Sequence, residues 1–260
     1  MRRSGWRYGQ WALVAGASEG LGAAFAAQLA ARGMNLVLVA RRSHLLANLK
    51  EQLTATYGIE VRCFVIDLAD PACGEALAES VAGIDLGIVV YNAAFTPVGP
   101  FLDAESEEIE QAVDVNVRGP LLALRALVPP MCKRGTGAVV LMSSLAGLQG
   151  TPNISVYAAS KAFNLILAEG LWYELRSHGI DVVACCAGAM RTPGYVRSFG
   201  RDVPGMLSPD EAARRTLDGL GRGPRLVPGR INQITALLMG RVLPRRAAVR
   251  LIGRNTKHLT

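Results

Sequence analysis

The segment Ala15-Gly16-Ala17-Ser18-Glu19-Gly20-Leu21-Gly22 follows a short apolar run, Trp11–Ala15, and leads into an amphipathic stretch. Glycines in such a loop let the backbone turn sharply and approach a pyrophosphate. The free N–H groups and the positive dipole end of the next helix favour the same anion. Glycine-rich turns are common, so the loop alone is also compatible with a turn that binds nothing. Whether the loop binds a pyrophosphate therefore has to be judged from the predicted strands and helices around it.

Apolar runs and amphipathic stretches alternate along most of the chain. The runs predicted as strands are Trp11–Ala15, Asn35–Val39, Val61–Ile66, Leu86–Tyr91, Ala138–Met142 and Asp181–Ala187. The predicted helices between them include Leu21–Arg32, Leu45–Tyr57, Gly74–Val81, Glu107–Leu127 and Val156–Ser177. Continuous hydrophobicity suits strands that are covered on both faces. We therefore predict an α/β fold: a doubly wound parallel sheet of the Rossmann type with helices on both faces.

Length and composition favour one domain. The 260 residues are 50% hydrophobic and 19% charged, with 28 Gly and 13 Pro. This composition excludes a disordered chain, a collagen and a simple coiled coil. No linker divides the chain, so we expect a single domain over 8–260. Within it, 188–207 are predicted as a mobile substrate lid loop and 222–260 as a basic C-terminal extension.

The formal charge of +7 is concentrated at one end of the chain. Nine Lys and Arg residues but no Asp or Glu follow Asp218, which leaves 19 basic residues against 21 acidic ones in the rest. A nucleic-acid-binding fold distributes its Lys and Arg residues over the surface that contacts the nucleic acid. We therefore expect no nucleic-acid partner.

Cysteine spacing and hydropathy indicate the compartment. The five cysteines have no paired spacing, which indicates core thiols in a reducing environment rather than disulfides or a zinc site. The run Trp11–Ala15 is too short for a signal peptide, and every uncharged segment is interrupted by polar residues or Pro. We expect a cytoplasmic protein.

The second predicted strand is followed by Arg41 and Arg42. An acid at this point would bind the ribose hydroxyls of NAD, whereas a guanidinium can pair with the 2′-phosphate of NADP. NADPH is therefore favoured over NADH. The alternative is that both arginines only solvate the end of the strand, and Glu19 places a negative charge nearby.

Tyr157 and Lys161 stand four residues apart at the start of a predicted helix and so share one face. A nearby ammonium favours the phenolate and is expected to lower the pKa of Tyr157 toward neutrality, which suits proton exchange. Ser144 lies at the end of the fifth predicted strand, on the edge of the sheet where ligands bind. Its hydroxyl can hold a substrate carbonyl oxygen.

These motifs together resemble the short-chain dehydrogenase/reductase family from Trp11 to about Pro193. The glycine loop matches the family's Thr-Gly-x-x-x-Gly-x-Gly motif, and Asp67 matches the acidic residue that contacts adenine. The segment Tyr91-Asn92-Ala93-Ala94 stands where the family has Asn-Asn-Ala-Gly. The four members of its catalytic tetrad are matched by Asn116, Ser144, Tyr157 and Lys161. Gly188 and Thr192 resemble its Pro-Gly-x-x-x-Thr element.

The resemblance implies an NADPH-dependent carbonyl reductase or alcohol dehydrogenase that needs no metal and forms a homodimer or homotetramer. Tyr157 would act as general acid or base, Ser144 would polarise the substrate oxygen, and Lys161 would bind the nicotinamide ribose. Asn116 would support a water relay. The implied cofactor-binding residues are Gly16, Ser18, Gly20, Leu21, Gly22, Arg41, Arg42, Asp67, Leu68, Asn92, Ala93, Tyr157, Lys161, Gly188 and Thr192. A catalytically idle nucleotide-binding regulator is the alternative, because fold does not fix function.

Four positions depart from the family's motifs. Ala15 replaces Thr, and Tyr91 and Ala94 replace Asn and Gly. We expect these three changes to alter hydrogen bonding around the glycine loop. Ala187 replaces the proline before Gly188 and should leave that turn freer.

The loops predicted at the carboxyl edge of the sheet carry mostly apolar side chains. The predicted substrate contacts are Ser144, Tyr157, Phe95, Leu145, Met190 and Tyr195, with Leu148, Phe199 and Met206 in the same loops. We expect a hydrophobic ketone, aldehyde or secondary alcohol of lipid-like, steroid-like or polyketide-like character.

The C-terminal extension predicts two short helices on either side of Pro244. The first carries an apolar stripe at helical spacing, formed by Ile231, Ile234, Leu237, Leu238 and Leu243, and the second is rich in Arg. One interpretation packs the stripe over the substrate loop or against another subunit. The other attaches the extension peripherally to anionic lipid, since a basic amphipathic helix can lie in a membrane interface.

Overall fold

The computed structural model describes residues 7–198 and 205–256. Within these ranges seven strands form one parallel sheet in the order β3-β2-β1-β4-β5-β6-β7. The strands are β1 (Trp11–Ala15), β2 (Asn35–Ala40), β3 (Val61–Val65), β4 (Leu86–Tyr91), β5 (Gly137–Ser144), β6 (Ile180–Ala187) and β7 (Arg225–Leu226). The predicted fold class, a single doubly wound Rossmann-type domain, is confirmed.

The helices cover both faces of this sheet. They are α1 (Gly20–Ala31), α2 (Ser43–Tyr57), α3 (Cys73–Ser80), α4 (Ser106–Val113), α5 (Gly119–Arg134), α6 (Ser155–Leu175), α7 (Pro193–Ser198), α8 (Pro209–Asp218), α9 (Arg230–Leu237) and α10 (Arg245–Asn255). π-helical turns, Asp114–Arg118 and Leu238–Val242, follow α4 and α9. None of the described helices combines the length and hydrophobicity needed to cross a bilayer.

Alternate residues of each central strand enter separate cores on the two faces of the sheet. In β1, Val14 packs with the cluster that contains Phe25 of α1. Its neighbour Leu13 packs with the cluster that contains Leu127 of α5 and Leu165 of α6. Because both faces are buried, the strands read as continuous apolar runs.

The strand order reverses direction between β1 and β4, which pair with each other in parallel. In an open α/β sheet the loops diverge at such a point and leave a crevice at the carboxyl ends of the strands. Here the Ala15 carbonyl accepts hydrogen bonds of 2.9 Å from the backbone N–H groups of Asn92 and Ala93. The glycine loop and the end of β4 are thereby held side by side.

The described residues after Gly188 include regular structure, and residues 199–204 of the predicted lid lie outside the described residues. The predicted lid, 188–207, contains α7, and a β-bridge joins Met190 to Leu207. The proposed start of the extension at 222 cuts across the sheet, because β7 pairs with β6 at Ala184 and Cys185. A two-residue strand gives too little pattern to be predicted from sequence.

The long predicted helix Glu107–Leu127 is three consecutive helical pieces: α4, the Asp114–Arg118 π-turn and α5. α5 also continues past the predicted end, through Pro129 and Pro130, to Arg134. Both prolines are exposed, so water can satisfy the carbonyl groups that lose their helical partners.

Candidate active site

A groove of about 650 Å³ follows the carboxyl edge of the central strands. It begins at Arg41 and Arg42 after β2, passes the glycine loop, and reaches Ser144 and Tyr157. Its lining includes most of the predicted cofactor residues: Gly16, Ser18, Gly20, Leu21, Arg41, Arg42, Asp67, Leu68, Asn92, Ala93, Tyr157, Lys161, Gly188 and Thr192. The fold thus brings segments distant in sequence into one elongated site.

The glycine loop leaves no room for side chains. Gly16 has φ +83°, and a Cβ there would lie 2.6 Å from the backbone nitrogen of Ala93. Gly22 does not line the groove, but a Cβ at this position would lie only 1.9 Å from the Gly16 carbonyl oxygen. The first turn of α1 therefore packs directly on the loop and presents its N-terminus to the groove. Such a cradle fits a pyrophosphate.

Arg42 is positioned by the glycine loop. Its guanidinium forms a 2.9 Å ion pair with Glu19 and donates a 2.9 Å hydrogen bond to the Ser18 hydroxyl. Arg41 beside it is exposed. Glu19, which from sequence only added an unfavourable negative charge, holds Arg42 at the mouth of the groove.

Ser144 and Tyr157 meet at the far end of the groove. Ser144 closes β5, Tyr157 lies in the first turn of α6, and both side chains line the groove. Lys161 lies one turn further along α6 and is buried. Its Nζ donates a 3.0 Å hydrogen bond to the Met142 carbonyl and lies 5.5 Å from the centre of the Tyr157 ring.

The expected lowering of the Tyr157 pKa is not what this geometry gives. Burial raises the pKa of Tyr157 above its ordinary value, and the neighbouring Ser144 hydroxyl only opposes the rise. Burial also lowers the pKa of Lys161, to about 8. Desolvation disfavours the charged form of each group and is the largest cause of both shifts. Tyr157 is therefore a protonated phenol near neutral pH, ready to donate.

Asn116 supports the site from behind the groove wall. Its side chain is fully buried in the Asp114–Arg118 π-turn. Its Oδ1 accepts a 2.8 Å hydrogen bond from the Phe95 backbone N–H, and its Nδ2 donates to the Phe95 carbonyl (2.7 Å) and the Ser160 hydroxyl (3.0 Å). Asn116 thus fixes Phe95, which lines the groove, and the helix that carries Tyr157.

Comparison with known proteins identifies the family. The model of the short chain dehydrogenase family matches residues 10–199, which include the groove and all four tetrad positions. The chain belongs to the short-chain dehydrogenase family. It is therefore an NAD(P)-dependent oxidoreductase that acts on CH–OH or C=O groups.

Similar members of this family cover most of the chain. A 7β-hydroxysteroid dehydrogenase from Clostridium sardiniense is 31% identical over 87% of this chain and 88% of its own length. A solved structure from a study of 7β-hydroxysteroid dehydrogenase stereoselectivity superposes with a TM-score of 0.88, at 28% identity over 95% of this chain and 97% of that one. A short-chain dehydrogenase from Sphingobium yanoikuyae in complex with NADPH has a TM-score of 0.77, at 34% identity, and covers 84% and 86% of the two chains.

In this short-chain dehydrogenase, the Tyr91 side chain does not alter hydrogen bonding at the glycine loop, as had been expected, but forms a hydrogen bond in another part of the structure. Its side chain points away from the glycine loop, is buried, and donates a 2.7 Å hydrogen bond to the Val115 carbonyl. The absence of a side chain at Gly119 makes room for it, since a Cβ there would lie 2.2 Å from the Tyr91 hydroxyl oxygen. Tyr91 therefore ties β4 to the π-turn that carries Asn116.

Of the predicted substrate residues, four line the groove, whereas Leu145, Leu148 and Tyr195 are not among its lining residues. Phe95 and Met190 line it together with Ser144 and Tyr157. Leu145 and Leu148 are half-buried in the 3-10 turn Leu145–Leu148 after β5, and Tyr195 is half-buried in α7. Phe199 lies outside the described residues.

Sequence analysis missed two buried polar side chains near the site. Asn164, one turn after Lys161 on α6, donates a 3.1 Å hydrogen bond to the Asn116 carbonyl. Asn232 of α9 packs against Gly188, where a Cβ would lie 2.7 Å from its Oδ1. A polar residue on an otherwise apolar helix face was the available signal in both cases.

Proposed function

We propose that this dehydrogenase uses NADPH to reduce a hydrophobic ketone or aldehyde, and that it can run the reverse oxidation of a secondary alcohol. The observation that carries the proposal is the single groove that joins Arg42, at one end, to Ser144 and Tyr157 at the other. The Arg42 end can bind the 2′-phosphate of the cofactor, and the Tyr157 hydroxyl at the other end can donate a proton to the substrate oxygen.

The residues along the groove fit a dinucleotide. Arg41 and Arg42 would hold a 2′-phosphate, and the cradle at Gly16 and the N-terminus of α1 would hold the pyrophosphate. Lys161 would bind the nicotinamide ribose. When bound, the nicotinamide supplies or accepts a hydride at its C4.

The proton side of the reaction depends on the chain's own groups. The Ser144 hydroxyl holds the substrate oxygen, and Tyr157 donates the proton from its hydroxyl to that oxygen as negative charge develops. Asn116 keeps Phe95 and α6 in register, so that both hydroxyl groups stay preorganised. The raised pKa of Tyr157 favours the reductive direction near neutral pH, because the donor is then fully protonated.

The apolar lining at Phe95 and Met190 supports a bulky, hydrophobic carbonyl compound as substrate. The similarity to 7β-hydroxysteroid dehydrogenases supports a fused-ring ketone of the steroid class as the first candidate. A catalytically idle regulator would have no need of a preorganised Ser144–Tyr157 pair.

A panel of carbonyl compounds tests the substrate class. We expect NADPH oxidation with steroid ketones and long-chain ketones, and kcat/KM that rises with apolar size, by roughly tenfold for each one or two buried methylene groups. Initial rates with the panel, read at 340 nm, measure this. A preference for small charged sugars over every hydrophobic ketone would contradict the proposal.

The cofactor preference is tested by Arg42→Ala. We expect the Kd for NADPH to rise about tenfold or more, because a charge-assisted hydrogen bond is lost, while the Kd for NADH changes little. Fluorescence titration of both cofactors gives the two values. Arg176→Ala, a change of an exposed arginine at the end of α6, is the control. Equal weakening of NADPH and NADH would argue against a phosphate contact.

We also propose self-association through α6. Ile166 and Tyr173 are exposed on this helix, beside a groove of about 380 Å³ lined by Phe163, Ile166, Leu167, Gly170, Leu171 and Glu174. An exposed apolar helix face of this kind suits a contact with a second copy. Sedimentation velocity should give a dimer or tetramer, and a purely monomeric chain at micromolar concentration would contradict it.

The proposed compartment is the cytoplasm. All five cysteines are free thiols, which suits a reducing environment. Recovery of the native protein in the cytosolic or membrane-surface fraction is expected, whereas export from the cell would refute this assignment.

A further inference from the structure

We propose that the α9 face binds the surface of an anionic lipid bilayer. This name refers to the row of apolar side chains formed by Ile231, Ile234, Leu237, Leu238 and Val242. The proposal concerns an interaction surface and does not depend on which carbonyl compound is reduced.

The α9 face points away from the protein. Its five side chains are between 43% and 60% exposed, whereas the side of the helix turned inward carries the buried Asn232 and Ala236. A helix on a water-soluble body normally buries its apolar stripe. The stripe predicted from sequence is therefore present. α9 contacts Gly188 and Gly205 of the predicted substrate loop through Asn232, and Ile231 lies beside Gly205, but the five apolar side chains stay largely exposed. The π-turn after α9 also leaves Leu243 half-buried and exposes Val242 instead.

The orientation of this face is fixed by tight contacts beneath it. Asn232 lies against Gly188 and Gly205, where added Cβ atoms would come within 2.7 Å and 2.8 Å of its Oδ1. Its Nδ2 donates a 2.9 Å hydrogen bond to the Pro228 carbonyl. α9 therefore has no space to rotate and bury its apolar row.

α10 is seated on the same part of the protein. Arg245 donates a 2.7 Å hydrogen bond to the Leu148 carbonyl, and Asn153 donates one of 2.9 Å to the Thr256 carbonyl. A Cβ at Gly253 would lie 3.3 Å from the Pro152 side chain. The two C-terminal helices thus form a fixed surface beside the substrate end of the groove.

Cations accompany the apolar row along the chain. Arg230 precedes Ile231, and Arg241 precedes Val242. Both are exposed, as are Arg246, Arg250 and Arg254 of α10, and no acidic residue follows Asp218. Exposed apolar side chains next to basic ones are the composition of helices that lie in the interface of anionic membranes.

The same charges argue against a second copy of this chain as the occupant. A twofold contact places identical surfaces against each other, so the α9 face would bring its own arginines together. Like charges brought together in this way oppose association. The α6 groove offers a separate apolar surface for self-association without this concentration of cations. An anionic bilayer satisfies both the apolar row and the arginines.

Vesicle flotation with the full chain tests the proposal. We expect the protein to float with vesicles that contain phosphatidylglycerol, to float weakly with pure phosphatidylcholine, and to be released by high salt. Ile234→Asp should lower the bound fraction several-fold. Arg241→Gln combined with Arg246→Gln should lower the partition coefficient by roughly tenfold or more, since each basic residue near an anionic surface contributes roughly fivefold.

Matched variants elsewhere on the surface serve as controls. Leu102→Asp changes an exposed apolar residue, and Arg176→Gln changes an exposed arginine, and both should float like the wild type. Thermal unfolding and sedimentation velocity of every variant establish folding and oligomeric state. Flotation that is absent, indifferent to lipid charge, or equally affected by the controls would overturn the proposal. One further result would overturn the proposal. If the wild type did not bind vesicles and Ile234→Asp changed the oligomeric state, the α9 face would be a subunit contact.

Discussion

Tyr157→Phe is expected to lower turnover by on the order of 100-fold or more while the Kd for NADPH stays within about twofold, because only the proton donor is removed. The ring keeps its place in the first turn of α6, where it is half-buried. The Ser144 hydroxyl remains to hold the substrate oxygen. Steady-state rates with the best ketone of the panel, together with a fluorescence titration of NADPH, measure the two quantities.

A second tyrosine on the same helix provides the control. Tyr173 is exposed near the other end of α6, and Tyr173→Phe removes the same atom without touching the groove. Its turnover should equal that of the wild type. If Tyr157→Phe also retained wild-type turnover, Tyr157 would not be the proton donor, and the alternative of a nucleotide-binding regulator without catalysis would become the better description.

The direction of the Tyr157 pKa shift adds a pH dependence to this result. A phenol whose pKa is raised stays protonated through neutral pH and loses its proton only at higher pH. Reduction therefore has its donor available at neutral pH, whereas oxidation, which needs the phenolate as base, should gain as the pH rises. The burial of Tyr157 thus bears on the direction of the reaction as well as on its rate.

The central fold was predictable because both faces of the sheet are buried. β1 and β4 match their predicted bounds, Trp11–Ala15 and Leu86–Tyr91, since continuous apolar runs end there at glycine or polar residues. The groove was predictable for a related reason. In a parallel sheet the loops after the strands converge on one edge, so Gly16, Asn92 and Ser144 had to lie near one another.

What was not predictable depends on contacts between distant segments. The resemblance to the Asn-Asn-Ala-Gly element placed Tyr91 near the glycine loop. Alternate strand residues face opposite sides, however, and its hydroxyl reaches the π-turn at Val115 instead. The pKa of Tyr157 follows from burial, which a spacing of four residues to Lys161 does not reveal. The outward direction of the α9 face likewise depends on Asn232 fitting against Gly188.

Gly22→Ala is expected to lower both stability and cofactor affinity, because α1 has no room for a methyl group at this position. The added Cβ would lie 1.9 Å from the Gly16 carbonyl oxygen and 2.8 Å from Asn92 Nδ2, which itself donates a 2.9 Å hydrogen bond to that carbonyl. The first turn of α1 must therefore move off the glycine loop. Overpacking of this kind costs roughly 1–3 kcal/mol, and a displaced helix N-terminus should weaken NADPH binding by about tenfold or more.

The same substitution at Gly240 separates this effect from any general consequence of an added methyl group. Gly240 lies in the helical turn after α9, and a Cβ there would meet no atom within 4 Å. Gly240→Ala should therefore be neutral or stabilising by up to about 1 kcal/mol, with unchanged NADPH affinity, because alanine loses less backbone freedom than glycine on folding. Chemical denaturation and NADPH titration of both variants make the comparison. Wild-type affinity in Gly22→Ala would mean that the α1 N-terminus is not part of the cofactor cradle, because its displacement is the one change that this substitution forces.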